Sequence, residues 1–164
     1  MTQSRGLADD ISAALEKAGL ADIGGVRINI SGCTNSCGQH DVADIGFHGA
    51  ERRAHGRAAP GYQMLLGGHV GDAQIEFAQR AVRLPAKAAA EATVRLISRY
   101  VDERQAGEPF AAWVARYGGA KAMGAELKDL DFWPDPDEAP EFYADFDETG
   151  PYVAEVGQGE CAAG

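Results

Sequence analysis

Cys33 and Cys37 stand three residues apart in the run Ser31-Gly32-Cys33-Thr34-Asn35-Ser36-Cys37-Gly38. Thiols so placed have three fates: binding a metal or an iron-sulfur cluster, forming a redox pair, or chemical inertness. One further cysteine, Cys161, lies near the C-terminus, and three thiols are too few and too unevenly placed for the framework of a small secreted domain. In a reducing compartment the close pair is read as meeting metal. His40 and His48 extend it to a C-x3-C-x2-H-x7-H set, which has the donor types for tetrahedral zinc at a spacing unusual for a structural finger.

The flanking elements position these thiols. Val26, Ile28 and Ile30 alternate with Arg27 and Asn29, the pattern of a strand with one apolar face, so the thiols begin where a strand over 25–30 ends. Gly32 and Gly38 flank the loop and permit backbone angles that a side chain would resist. The Gly38-Gln39-His40-Asp41 continuation suits a short helical turn, and alternation resumes from Asp41 to His48 as a second strand.

The pattern Ser31-Gly32-Cys33, three residues, Cys37, six residues, Asp44-Ile45-Gly46-Phe47 resembles the second cluster-binding motif of the siroheme-dependent nitrite and sulfite reductases. It constrains eight positions over seventeen residues, far more than a bare cysteine pair. The likeness continues in a strand ending at Gly67-Gly68 and in Arg83-Leu84-Pro85-Ala86-Lys87, covering residues 20–118. Thr34 departs from the family, where proline is frequent, which loosens the loop without forbidding ligation.

The resemblance implies that Cys33 and Cys37 supply two of the four thiolates of a 4Fe-4S cluster, and that Cys37 also touches the siroheme iron. Asn35 is then a candidate polar contact to cluster sulfur or the macrocycle edge, although an Asn there equally satisfies a turn. The family's other two ligands come from an upstream C-x5-C segment that this chain lacks. A missing N-terminal reductase portion or a separate subunit is therefore expected, with ferredoxin or a flavoprotein as electron donor. The basic residues that clamp the anion are expected in that missing portion too. No catalytic residue is assigned here, and the 164-residue chain alone is expected to be inactive. Other classes remain: a zinc or redox cysteine module, or a non-catalytic interaction protein using its acidic tail.

With 164 residues, 45% of them apolar, the chain is long enough for one domain with a sizeable core. Its formal charge of -10 is uneven, since residues 129–164 hold 11 acidic side chains and no Lys or Arg. That acidity argues against nucleic acid. No secretory leader is evident and no segment approaches the roughly 20 apolar residues of a membrane span, so a cytoplasmic protein is expected.

Leu7, Ile11, Ala14, Leu15 and Ala18 predict a helix over 7–18, stopped by Gly19. Arg52, Arg53, His55 and Arg57 mark 49–61 as a basic surface loop or hairpin tip, either merely solvated or able to hold siroheme carboxylates. A strand from Tyr62, an extended piece over 81–85, a helix from Ala86 and another carrying Phe110, Trp113, Val114 and Tyr117 follow. These aromatics are read as core. The expected fold is α+β: a small mixed sheet with helices packed on it and the cysteine loop at one sheet edge. Residues 1–128 are expected to form the reductase-type domain, and 129–164 an acidic tail whose aromatics lie against it.

Overall fold

Residues 1–71 and 74–153 are described by a computed structural model. Helix α1 (Ser4–Lys17) buries Leu7 and Ile11, and Ala14 and Leu15 pack partly against the same core. It stops where Gly19 takes a φ of +71° and the Gly19 and Leu20 amides donate back to the Glu16 and Leu15 carbonyls.

The chain then forms β1 (Ile28–Ser31) and β2 (Ile45–Gly49), which pair in parallel from Ile28 opposite Ile45 to Ser31 opposite His48. A parallel pair requires the chain to travel back along the strand before starting again, and a dozen or more residues are usual for that return. Here residues 32–44, the cysteine loop included, make the journey. A short 3-10 turn over His40–Val42 stands where the sequence suggests a helical turn.

The basic segment folds as a hairpin of β3 (Arg52–Ala54) and β4 (Arg57–Ala59). Next comes β5 (Gly61–Leu66), buried at every position, which pairs antiparallel with β2. A small ribbon of β6 (His69–Val70) and β7 (Ile75–Glu76) precedes β8 (Gln79–Pro85), the other antiparallel neighbour of β5. The sheet order is therefore β1-β2-β5-β8, with β1 and the loop that follows it at one edge.

Helix α2 (Ala89–Glu103) turns Ala92, Leu96 and Ile97 inward, and α3 (Phe110–Arg116) brings Phe110 and Trp113 against Tyr100 with ring centroids 5.2 and 5.5 Å away. These aromatics are core, as their spacing predicts. Burying each such side chain contributes about 1.5–3 kcal/mol. A further helix, α4 (Ala120–Glu126), was not expected beyond Gly118-Gly119. It packs on β8 at Gly124, where a Cβ would stand 2.3 Å from the Ala81 carbonyl oxygen.

The acidic segment after residue 129 is bound to the body as far as it is described. Phe146 joins the main core, and Trp133 and Tyr143 form a second apolar cluster with Ala59 on β4. Arg52 Nη1 pairs with Asp131 Oδ1 at 3.0 Å and Arg57 Nη2 with Asp137 Oδ1 at 3.3 Å, while His55 Nε2 meets the Trp133 carbonyl oxygen at 3.1 Å. Two of the hairpin's three arginines thus pair with carboxylates of the acidic segment. No described helix is long and apolar enough to cross a membrane. The architecture is the α+β arrangement with a small mixed sheet that the sequence implies.

Candidate functional site

The cysteine loop is fastened at three places. Gly38 donates its N–H to Ser31 Oγ at 3.0 Å, tying the residue after Cys37 to the end of β1. Asn29 Nδ2 donates to the carbonyl of Gln39, the next residue, at 3.1 Å. From the other side, both the Thr2 amide and its hydroxyl donate to the Gly32 carbonyl, at 3.1 and 3.2 Å. The N-terminal segment therefore braces the residue before Cys33.

Gly32 and Gly38 have a different role from the one expected. Neither adopts a positive φ; the left-handed positions are Ser36 and Gln39, at φ +58° and +56°. What Gly38 permits is proximity, since a Cβ there would lie 2.2 Å from the Ile30 carbonyl oxygen. Gly46 and Gly49 in β2 do the same, with added Cβ atoms 2.1 Å from the carbonyl oxygens of His40 and Gly32. The loop can lie this close to the sheet because these three glycines leave it room.

Cys33 is half-buried and Cys37 exposed, and both are free thiols. They line one cleft of about 510 Å³, walled also by Met1 to Arg5, Ser31, Gly32 and, from the C-terminal segment, Glu148, Tyr152 and Val153. A second cavity of about 400 Å³, reaching Arg57 and Tyr143, shares Tyr152 as a wall. Asn35 is exposed between the cysteines and is not among the residues lining the cleft. Cys161 lies outside the described residues.

Asp44, the acidic residue of the motif, is buried with its Oδ2 accepting the Arg27 N–H at 2.9 Å, and its carbonyl accepts the Gly67 amide. It aligns the starts of β1 and β2. Burial raises its pKa, opposed by the Arg27 amide and guanidinium. Asp145 is similarly buried and raised; its carboxylate accepts the Gln3 and Phe146 amides at 3.0 and 2.9 Å, which joins the C-terminal segment to the N-terminal wall of the cleft.

The zinc set is not assembled. The His40 and His48 rings meet at a tilt of 50° with centroids 5.0 Å apart, and His40 Nδ1 is engaged by Ser31 Oγ at 2.8 Å. Among the described residues no three His, Cys, Asp or Glu side chains gather to hold a metal ion. The two thiols instead face an open cleft as an incomplete pair.

Residues 25–128 match the family model for the nitrite and sulphite reductase 4Fe-4S domain. The chain belongs to that family. It is 38% identical over 93 residues to a ferredoxin sulfite reductase of Mycobacterium tuberculosis, covering 56% of this chain and 17% of that protein. An assimilatory ferredoxin-dependent nitrite reductase of Haloferax mediterranei is 32% identical over 114 residues, covering 68% of this chain and 19% of the relative. The sulfite reductase (NADPH) hemoprotein beta-component of Bacillus subtilis is 34% identical over 117 residues, covering 71% and 19%. The solved structure of the Mycobacterium tuberculosis NirA protein superposes with a TM-score of 0.57 at 33% identity, over 68% of this chain and 21% of that one. This nitrite and sulphite reductase domain thus spans 17–19% of the length of the curated relatives named here.

The geometry adds residues to the cysteine cleft that local sequence pattern does not mark. Thr2 and Arg5 reach the cleft from a segment some thirty positions away from the motif, and Tyr152 arrives from the far end of the chain. Nothing local in the sequence marks them. Ser31 and His40 were more accessible: a serine two residues before a cysteine and a buried histidine three after the next one are both polar groups needing partners.

Proposed function

We propose that this chain is the C-terminal cluster- and siroheme-binding part of a nitrite or sulfite reductase, acting in the six-electron reduction of the anion. One observation carries the reading: two free thiols, held by a glycine-relieved loop at a sheet edge, open onto a cleft where, among the described residues, no further metal-binding side chain joins them. That geometry fits half of a cubane site. A cubane takes four thiolates, so the other two come from an N-terminal reductase portion or a separate subunit bearing C-x5-C.

Cys33 and Cys37 supply two thiolates in this reading, with Cys37, the more exposed, facing the siroheme iron. When bound, the cluster and macrocycle supply the electron transfer and the site at which the anion is reduced. The chain's own residues do the holding. The Gly38 to Ser31 hydrogen bond fixes the loop, Asn35 offers a polar group to cluster sulfur or the macrocycle edge, and the thiols open onto a cleft of about 510 Å³. Ferredoxin or a flavoprotein is the proposed donor, in keeping with the ferredoxin-dependent relatives. The free cysteines suit a cytoplasmic setting. The family match ends at residue 128, which supports a division between the reductase-type domain and the acidic segment from 129.

The test is anaerobic reconstitution of the chain with iron, sulfide and siroheme, with and without a polypeptide carrying the C-x5-C segment. Iron, acid-labile sulfide and a siroheme absorption band are expected only with the second polypeptide, and lost in Cys33→Ser and Cys37→Ser. One tightly held zinc per chain and no iron in the presence of the partner would refute the assignment.

A further inference from the structure

Behind the cysteine pair, starting at Ser31 in the cleft wall, runs a largely buried set of polar contacts. Ser31 is 4% exposed and His40 2%. Ser31 Oγ accepts the Gly38 N–H at 3.0 Å and lies 2.8 Å from His40 Nδ1. On the other side of the ring, His40 Nε2 stands 3.2 Å from Asp41 Oδ1. A carboxylate only accepts, so Nε2 carries the proton and Nδ1 of the neutral ring is bare. The Ser31 hydroxyl therefore donates to Nδ1, which leaves its lone pair for the Gly38 amide. Two hydrogen-bond directions follow, Gly38 N–H to Ser31 Oγ and Ser31 Oγ–H to His40 Nδ1, with the His40 Nε2–H turned toward the Asp41 carboxylate at ion-pair distance.

Ser31 lies two residues before Cys33, and Gly38 directly after Cys37. One hydroxyl thus joins the two ends of the ligand loop, and one imidazole holds that hydroxyl in the orientation that can do so. Loss of the imidazole frees the hydroxyl to rotate. Loss of the hydroxyl leaves two polar groups, the Gly38 amide and His40 Nδ1, buried without a partner.

We propose that Ser31 and His40 are positioning residues for the Cys33 and Cys37 thiols, fixing their separation before any metal arrives. The proposal rests on the reading of these cysteines as ligands. Residues that orient metal ligands in this way typically contribute 10–100-fold in metal affinity.

Cadmium ion tests it on the full chain, without the missing subunit, because a dithiolate binds Cd2+ and gives an ultraviolet thiolate-to-metal absorption. Under anaerobic reducing-then-desalted conditions the wild type is expected to bind one Cd2+ through the pair, with binding abolished in Cys33→Ala/Cys37→Ala. Ser31→Ala is expected to bind about tenfold more weakly or worse, and Ser31→Thr to recover most of the loss. His40→Leu, which fills the site but removes the acceptor, is expected to weaken binding in the same direction. Melting curves run alongside separate this from a structural role, which would lower the melting temperature without altering Cd2+ affinity well below it. Equal affinity in the wild type and Ser31→Ala would overturn the positioning role alone; where Ser31→Ala does not fold, equal affinity in His40→Leu does so. Absence of Cd2+ uptake by the folded wild type would count against the cysteines as ligands and overturn both readings.

Discussion

Gly6 on α1 lies so close to Phe146 that a Cβ on the glycine would stand 2.2 Å from the phenylalanine Cβ. The contact joins the first helix to the acidic segment across nearly the whole chain, and with Asp145 accepting the Gln3 amide it fixes the wall of the cysteine cleft. Removing the ring in Phe146→Ala is expected to cost about 3 kcal/mol, and crowding it in Gly6→Ala about 1–3 kcal/mol. Urea denaturation read by tryptophan fluorescence measures both. A loss below about 0.5 kcal/mol in each would show that the segment is not part of the folded body.

Gly38 and Gln39 are neighbours with opposite constraints. Gly38→Ala drives a methyl toward the Ile30 carbonyl oxygen, 2.2 Å away, and is expected to destabilise by about 2 kcal/mol and to raise hydrogen exchange in the loop. Gln39→Gly relieves a left-handed φ of +56° and is expected to be neutral or to stabilise by up to about 1 kcal/mol. Denaturant midpoints of the two variants, moving in opposite directions from wild type, are the check. A Gly38→Ala midpoint at or above that of wild type would mean that close approach does not dictate glycine here.

His40 links the site to pH. Burial, aided by the neighbouring His48 and opposed by the Asp41 carboxylate, holds its pKa below the ordinary 6.5. The folded state then binds fewer protons than the unfolded state as pH falls below 6.5. The stabilisation is present above that value and lost as pH drops through the lowered one. His40→Leu removes this contribution, so its urea midpoint is expected to fall less steeply than that of wild type as pH is lowered below 6.5. Parallel slopes would place the pH sensitivity elsewhere.

Much of this was legible from residue order. The alternation from Val26 to Ile30, the spacing in 7–18 and the stripe from Ala86 onward each produced the expected element, because one buried face imposes a period on the sequence. The motif likewise located the cleft. The short helix α4 escaped because its seven residues, AKAMGAE, show too little period and contain Gly124, whose presence answers to contact with β8. The flanking glycines were identified as necessary but for the wrong reason: conformational freedom and closeness select the same residue, and only coordinates distinguish them. The cleft walls contributed by Thr2, Arg5 and Tyr152 depend on contacts between distant parts of the chain, and no local pattern encodes those.

The return path between the two parallel strands is also the stretch that presents the thiols. Residues 32–44 are close to the shortest span usual for such a return, so the cysteine loop has little length to spare. Lengthening it would add surface, whereas trimming even one residue would pull β2 out of alignment with β1 and turn Phe47 away from the interior. Any redesign of how this loop grips sulfur chemistry must therefore keep its residue count, because the fold itself is threaded through it.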